Sequence, residues 1–190
     1  KLMPLIHLPV QSGSNKILDL MNRKHTIKEY LEIFDRLKGI NKKIEFSSDF
    51  IIGYPGEEDK DFKDTYNLIS RIKFINSYSF IFSPRPGTKA ANLKLIDRKV
   101  SMERLEKVQN QLFENQLLKN KSLEEKTLNV LVENLTDDKK QVFGRSEHMT
   151  SVIFDGNKSD IGKTLQIKIR QSNRTTLFGE KVCSSNQKVA

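Results

Sequence analysis

Residues 47–62 carry the stretch SSDFIIGYPGEEDKDF, which decides the fold of the first part of the chain. An apolar, β-branched run ends at Gly53, the chain turns at Pro55 and Gly56, and an acid-led helical pattern follows. This succession predicts a strand, a tight turn and a helix. Similar β-α alternation on both sides of the stretch favours a parallel sheet with helices packed outside it.

Alternate side chains of an extended strand share a face, so the strand divides into two rows. One row holds Phe46, Ser48, Phe50 and Ile52, and the other holds Ser47, Asp49, Ile51 and Gly53. The first row suits packing against helices. A desolvated carboxylate is costly without hydrogen-bond partners, so Asp49 should face donors such as ribose hydroxyls, backbone or a Lys. A functional role for Asp49 is favoured over a structural one.

The preceding segment PLIHLPVQ predicts a neighbouring strand with His7, Pro9 and Gln11 on one face. Two polar rows on adjacent strands are typical of a barrel that binds a ligand at its C-terminal mouth. We interpret His7 as a hydrogen-bonded interior histidine. Gln11, which precedes an SGS loop expected to be flexible, is favoured as a functional residue.

The GYPGE turn combines conformational freedom with acidic charge. Gly53 and Gly56 allow a positive φ or a close approach to a ligand, and Pro55 presets the turn. The carboxylates that follow complement the positive end of the next helix. For Glu58 and Asp59 this is the whole expected role.

The hydrophobic pattern changes period along the chain. Residues 1–100 are predicted to form half of a parallel βα barrel, and residues 101–126 a connecting helix. Five short strands in residues 127–183 favour a small, OB-like antiparallel β-barrel, and residues 184–190 a tail. The fold class is therefore α/β plus all-β. Because the chain begins almost inside a strand, we expect a further N-terminal part that completes the sheet.

Composition limits the function classes. The chain has one cysteine, Cys183, without metal-ligand spacing to His7, His25 or His148, so it predicts no metal site of its own. No apolar run approaches the ~20 residues of a membrane span, and no signal peptide is evident, so a cytoplasmic protein is expected.

The net charge of +9 has two interpretations. It suits binding to a polyanionic partner, or it reflects only a basic surface that is solvated. The excess is largest in residues 85–126, where ten Lys and Arg accompany six Asp and Glu.

Three motifs in fixed order resemble a known family. LPVQSGSNKILDLMNRKHT, SSDFIIGYPGEEDKDF and FSPRPGTKAA, followed by GRSEHMTSVIF and IGKTLQIKI, resemble the radical S-adenosylmethionine methylthiotransferases, and SPRPGTKAA favours the members that modify tRNA. The resemblance implies a radical S-adenosylmethionine barrel followed by a TRAM domain that contacts tRNA. It also implies two 4Fe-4S clusters, and a product with a methylthio group at C2 of N(6)-isopentenyladenosine, next to the anticodon.

The resemblance assigns candidate roles to residues of this chain. Gln11 and Asp49 match ribose-contacting positions, and Arg23 matches the residue that meets the methionine carboxylate. Ile51, Gly53 and Glu57 match, in part, the stretch that brackets the adenine. The cysteine ligands of both clusters would lie upstream of Lys1, so the chain is expected to be a C-terminal fragment, inactive without the N-terminal domains of the same polypeptide.

Two other functions remain open. Residues 127–183 would act only as a non-catalytic RNA-binding module if their basic side chains contact phosphate. These side chains are Arg145, Lys163, Lys168, Arg170 and Arg174. Phe143, Phe154 and Phe178 would stack on bases or, as we favour, form the core. The last alternative, a ligandless scaffold, leaves Asp49 and the GYPGE turn unexplained.

Overall fold

In the computed structural model, which describes residues 3–182, short strands alternate with helices in the first part of the chain. The elements are β1 (Leu5–His7), α1 (Asn15–Leu20), α2 (Ile27–Ile40), β2 (Glu45–Ser47), β3 (Asp49–Ile52), α3 (Asp59–Ile72) and β4 (Tyr78–Ile81). β1 pairs with β2, and β3 pairs with β4 in parallel. This arrangement confirms the predicted partial βα barrel.

Local sequence signals set where the helices begin. The Ser14 hydroxyl accepts a hydrogen bond from the Ile17 N–H at the start of α1. Thr26 and Glu29 form a capping box at the start of α2, and Glu58 and Asp61 form another at the start of α3. Each cap satisfies backbone N–H groups that have no partner within the helix.

The predicted apolar row of the central strands faces the helices. Phe46, Phe50 and Ile52 are buried in one cluster with Ile69 and other helix side chains. The Phe50 ring meets the Phe74 ring edge to face, with centroids 5.3 Å apart. This geometry is favourable for aromatic pairs and adds to the stabilisation from apolar burial.

Both predicted strands are shorter than their apolar runs. β1 ends at His7, two residues before Pro9, which has no N–H to donate to a ladder. β2 and β3 are separated at Ser48, whose N–H donates to the Ser77 hydroxyl and whose own hydroxyl accepts from the Val10 N–H. Side-chain hydrogen bonds therefore replace part of the strand ladder at Ser48.

A short 3-10 turn, Lys89–Asn92, leads to the long helix α4 (Arg98–Lys121). Contacts divide the protein into two compact units, one of residues 6–115 and one that contains residues 116–182. Within the first unit, Val108 and Leu112 of α4 are buried in the helix-side core.

Five strands form a closed barrel in the second unit. They are β5 (Thr127–Leu135), β6 (Val142–Ser146), β7 (Ser151–Phe154), β8 (Thr164–Ser172) and β9 (Thr176–Lys181). Their order around the barrel is β5-β6-β7-β9-β8. Four neighbouring pairs are antiparallel, and β7 and β9 are parallel. Strands of alternating direction cannot close a ring of odd number, so one parallel pair is required.

Alternate side chains of these strands fill the barrel. Val130, Val132, Val152, Ile167 and Leu177 are all buried in its core. At Gly179 a Cβ would lie 2.5 Å from the Lys168 carbonyl oxygen, so neighbouring strands approach too closely for a side chain. Among residues 3–182, no helix is both long and apolar enough to span a membrane.

Candidate functional site

Asp49 lies at the start of β3, on the face opposite the helices. Its side chain is 34 % exposed, and His7 Nε2 approaches its Oδ2 to 3.5 Å. His7 Nδ1 is 2.9 Å from the Ser47 hydroxyl, so the three side chains share one face, as the two-row pattern predicts. His7 is half exposed, so the prediction of an interior histidine is wrong, although its hydrogen bond is present.

No N–H or O–H group of the described residues donates a hydrogen bond to the Asp49 carboxylate. A partly buried carboxylate is stabilised by donors, and the half-exposed face leaves room for donors from a ligand. The hydroxyl groups of a ribose have the required chemistry. The structure thus leaves Asp49 able to bind such a group.

Gln11 contacts β3 through its backbone. Its N–H donates to the Asp49 carbonyl at 3.0 Å, and its carbonyl accepts from the Ile51 N–H at 2.9 Å. This bridge pairs Gln11 with Phe50, which faces the helices, and Gln11 has a φ of 71°. The regular alternation that placed Gln11 in the row of Asp49 therefore ends before Gln11.

Gln11 is only 7 % exposed, and its side chain makes no hydrogen bond to the described residues. A positive φ is uncommon in a residue with a Cβ and costs about 1 kcal/mol. Such strain is often concentrated at binding sites. The contact of Gln11 with a ribose stays a prediction.

The GYPGE turn is closed by the Glu57 carboxylate. Both of its oxygens lie 3.3 Å from the Gly53 nitrogen, which donates to them. Gly53 has a φ of 71°, and a Cβ there would lie 2.5 Å from the Ser101 hydroxyl, so a glycine is needed on two grounds. Glu57 thus shapes the turn through its side chain, in addition to any contact that its backbone makes with a ligand.

Arg104, in α4, neutralises the buried Glu57. Its Nη1 donates to Glu57 Oε1 at 2.8 Å and its Nη2 to Asp59 Oδ1 at 2.6 Å. Its guanidinium also lies 5.5 Å from the centroid of the Phe62 ring. Burial raises the pKa of Glu57, although Arg104 opposes the shift.

Arg23 follows the C-terminus of α1. Asn22, at a φ of 57°, donates to the Asp19 carbonyl, and the Arg23 N–H donates to the Leu18 carbonyl at 2.9 Å. This pattern is a Schellman motif, which fixes where Arg23 leaves the helix. The Arg23 side chain is exposed and makes no ion pair with the described residues.

The SGS loop, residues 12–14, is buried and bonded, which does not match the expected flexibility. The Gly13 N–H donates to the Thr65 hydroxyl at 2.8 Å, and the Ser14 hydroxyl donates to Asp61 at 2.6 Å. Burial opposes ionisation of Asp61, but hydrogen bonds from Ser14, the Glu58 N–H and Lys16 outweigh it and hold the pKa of Asp61 below its usual range. The loop that follows Gln11 is therefore anchored to α3.

Two aromatic residues were missed by sequence reasoning. Tyr78 and Phe80 of β4 are paired in register with Asp49 and Ile51, and they are 64 % and 56 % exposed. The strand pattern SYSFIFS already places them in one row. The sequence could not predict that these two side chains are exposed, because the same alternation is also found in strands whose aromatic row is buried in a core.

The basic residues predicted to bind phosphate differ in their surroundings. Arg170 is ion-paired with Glu125 at 2.7 Å and Glu180 at 2.6 Å, and Lys168 with Glu125 at 3.1 Å. Arg145 lies 3.4 Å from Glu133. Much of the predicted phosphate-binding charge is therefore compensated within the barrel surface.

Lys163 and Arg174 are both exposed in turns that adjoin β8. The Lys163 side chain makes no hydrogen bond or close ion pair within the described residues, although its charge helps to lower the pKa of Asp160. Lys163 is therefore the predicted phosphate contact whose charge is least compensated by close pairing.

The three aromatic residues of the barrel separate into two groups. Phe154 is buried in the core, as favoured from the sequence. Phe143 and Phe178 are half-buried and both pair with Ile153, on neighbouring strands. The Arg145 guanidinium lies 5.3 Å from the centroid of the Phe143 ring.

No group of three or more His, Cys, Asp or Glu side chains in residues 3–182 could hold a metal ion. Cys183 lies outside the described residues. The described residues therefore supply no ligand set for an iron–sulfur cluster.

Comparisons with known proteins match both parts of the chain. Residues 2–69 match the radical SAM superfamily, and residues 121–182 match the TRAM domain. The first match contains all six predicted cofactor-binding residues. The second match contains the closed barrel.

Three relatives that match 94% to 100% of the chain share one name, tRNA-2-methylthio-N(6)-dimethylallyladenosine synthase. The protein from Pelagibacter ubique (strain HTCC1062) is 66% identical over 190 residues, which are 100% of this chain and 43% of that relative. The protein from Wolbachia pipientis wMel is 45% identical over 94% of this chain and 42% of the relative. The protein from Rickettsia akari (strain Hartford) is 45% identical over 95% of this chain and 41% of the relative.

The chain matches the radical SAM superfamily and the TRAM domain, and it is similar along nearly all of its length to tRNA methylthiotransferases, as its ordered motifs predicted. It spans less than half the length of the curated relatives that it matches. The match to the radical SAM superfamily implies the use of S-adenosylmethionine and iron–sulfur chemistry.

Proposed function

We propose that this chain is part of a tRNA methylthiotransferase that adds a methylthio group to C2 of N(6)-isopentenyladenosine next to the anticodon. The observation that carries the proposal is the 66% identity over all 190 residues to a tRNA-2-methylthio-N(6)-dimethylallyladenosine synthase. The partly exposed Asp49 carboxylate, which accepts no hydrogen bond from the described residues and has His7 Nε2 at 3.5 Å, supports a nucleoside site in the same segment.

The proposed cofactor site uses residues of this chain to bind and orient S-adenosylmethionine. Gln11 and Asp49 would contact the ribose, and Arg23 the methionine carboxylate. Ile51, Gly53 and Glu57 would bracket the adenine, and Arg104 would hold the turn in place through Glu57. S-adenosylmethionine and two 4Fe-4S clusters, whose ligands would lie upstream of Lys1 in the same polypeptide, would supply the radical chemistry of the family when bound.

The second proposal assigns RNA contact to the barrel. The match of residues 121–182 to the TRAM domain and the exposed Lys163 and Arg174 support it. The alternative function is that the barrel binds RNA and the chain takes no part in catalysis.

We further propose that the chain divides into residues 1–100, 101–126, 127–183 and 184–190. The proposed location is the cytoplasm, where tRNA is found.

The test uses the full-length polypeptide that contains this chain, with its clusters loaded. It is incubated with S-adenosylmethionine, a sulfur source and tRNA that carries N(6)-dimethylallyladenosine, and the nucleosides are then analysed by mass spectrometry. We expect the adenosine derivative to gain a methylthio group, and Arg23→Ala to weaken S-adenosylmethionine binding. Tight tRNA binding without any methylthio product would instead support the RNA-binding module.

A further inference from the structure

The exposed aromatic pair on β4 forms an apolar patch. The Tyr78 and Phe80 rings are stacked, with centroids 6.5 Å apart and planes inclined by 15°. Large apolar side chains on a sheet are ordinarily buried, so two adjacent rings at 64 % and 56 % exposure mark a surface able to bind an apolar group.

The patch is continuous with the row of Asp49. In the parallel register Tyr78 lies beside Asp49, and Phe80 lies beside Ile51. Phe50 and Ile52, the alternate residues of β3, are fully buried against the helices. The aromatic pair and the carboxylate therefore lie on the same face of the sheet, with Ile51 between them.

The two regions of this face have different chemistry. His7, Ser47 and Asp49 are polar, whereas Tyr78 and Phe80 with Ile51 are largely apolar. The proposed function assigns the polar region to the ribose of S-adenosylmethionine, so the apolar region beside it is left for the apolar part of a second ligand. The dimethylallyl group of the substrate adenosine, a branched five-carbon substituent on N6, is such a part.

We propose that Tyr78 and Phe80 contact the dimethylallyl group of the substrate adenosine and so select prenylated over unmodified tRNA. The inference rests on the proposed function. It assigns the aromatic pair to the RNA substrate, not to S-adenosylmethionine, because the apolar group is found only in the substrate. Loss of an apolar contact of this size reduces discrimination about tenfold or more.

The experiment measures affinity for two anticodon stem–loops, one with N(6)-dimethylallyladenosine and one with adenosine, in the full-length, cluster-loaded polypeptide. We expect Phe80→Gln to reduce the preference for the prenylated RNA about tenfold, with S-adenosylmethionine affinity within about twofold of the unaltered protein. Phe80→Leu, which keeps an apolar side chain, should retain most of the preference. Ile40→Ala, at an apolar residue of α2 that is 74 % exposed, is the matched control and should change neither affinity.

Other outcomes separate the inference from the proposed function. If Phe80→Gln weakens both RNAs equally, or weakens S-adenosylmethionine binding, the pair has another role and the inference is wrong. Equal loss of thermal stability and of all binding in Phe80→Gln and Phe80→Leu would show that the pair packs against another part of the polypeptide, which also overturns it. If the unaltered protein forms no methylthio product, the proposed function itself fails.

Discussion

At the scale of single residues, the Glu57–Arg104 pair joins fold and site. The Glu57 carboxylate is buried from solvent. It accepts a hydrogen bond from the Gly53 N–H and forms an ion pair with Arg104 at 2.8 Å. Breaking a buried pair by removing one partner leaves an uncompensated charge. Arg104 therefore acts through Glu57 on the turn that is predicted to bind adenine.

We expect Arg104→Met to destabilise the protein by about 3 kcal/mol at pH 7. The variant should also raise the pKa of Glu57 further, because burial already raises it and the opposing cation is removed. A carboxyl with a raised pKa binds its proton more tightly in the folded protein, so acidification favours the folded variant. The difference in free energy of unfolding between the unaltered protein and Arg104→Met should therefore decrease as the pH falls from 7 towards the usual Glu pKa of 4.5. Urea unfolding at several pH values measures it.

Asp59→Asn is the matched control, because Asp59 pairs with the same guanidinium but is fully exposed. Its effect on the free energy of unfolding should stay within about 0.5 kcal/mol. Equal losses in the two variants, or a deficit in Arg104→Met that does not change with pH, would contradict this role for the pair.

The sequence predicted the position of Asp49 but not that of Gln11. Alternation correctly placed Asp49 opposite Phe50, because both lie in the regular strand β3, and His7 contacts both Ser47 and Asp49 on that face. It did not extend to Gln11, because Pro9 interrupts the strand and Gln11 takes a φ of 71°. Arg104 was also beyond prediction, since its pairing with Glu57 depends on how a distant helix packs.

At the scale of elements, close backbone contact determines which residues the barrel strands tolerate. A Cβ at Gly179 would meet the Lys168 carbonyl oxygen at 2.5 Å, whereas a Cβ at Gly39, near the end of α2, meets nothing within 4 Å. Backbone atoms on a paired strand cannot move aside as a flexible side chain can. A side chain at Gly179 is therefore excluded by steric contact, whereas a side chain at Gly39 would be affected only by helix propensity.

We expect Gly179→Ala to destabilise the protein by about 1–3 kcal/mol through overpacking. Gly39→Ala should instead be neutral or stabilise it by up to about 1 kcal/mol, because alanine is the better helix former. Chemical denaturation of both variants measures the difference. A neutral Gly179→Ala would show that the strands separate there at little cost.

Element types were easier to predict than their pairing. The hydrophobic pattern indicated the connecting helix and all five barrel strands, since this signal is local. The separation of β2 from β3 at Ser48 depends on the distant Ser77 hydroxyl, and the parallel β7–β9 pair follows from closure of an odd-numbered ring. Neither feature is visible in a single segment.

At the scale of the whole molecule, the net charge of +9 overstates the charge available to RNA. Arg170 is bonded to two carboxylates of the barrel, whereas Lys163 has no close ion pair within the described residues. Each lysine that neutralises a phosphate steepens the salt dependence of binding. Position within the folded surface therefore matters more than total charge.

Lys163→Gln should lower the slope of log affinity for tRNA against log salt by about 1. Arg170→Gln should lower it less, because its charge is already compensated. Titrations between about 50 and about 200 mM salt measure both slopes in the full-length polypeptide. A slope that is unchanged in Lys163→Gln, or a larger change in Arg170→Gln, would contradict the proposed phosphate contact.

The central claim is that the face of the sheet around Asp49 binds a nucleoside cofactor. The most direct test is calorimetric titration of S-adenosylmethionine into the full-length, cluster-loaded polypeptide and its Asp49→Ala variant, with Asp155→Ala on the barrel surface as the control. We predict at least about tenfold weaker binding for Asp49→Ala, from the loss of hydrogen bonds to a charged group, and no change for the control. Equal affinity in all three proteins would contradict the claim.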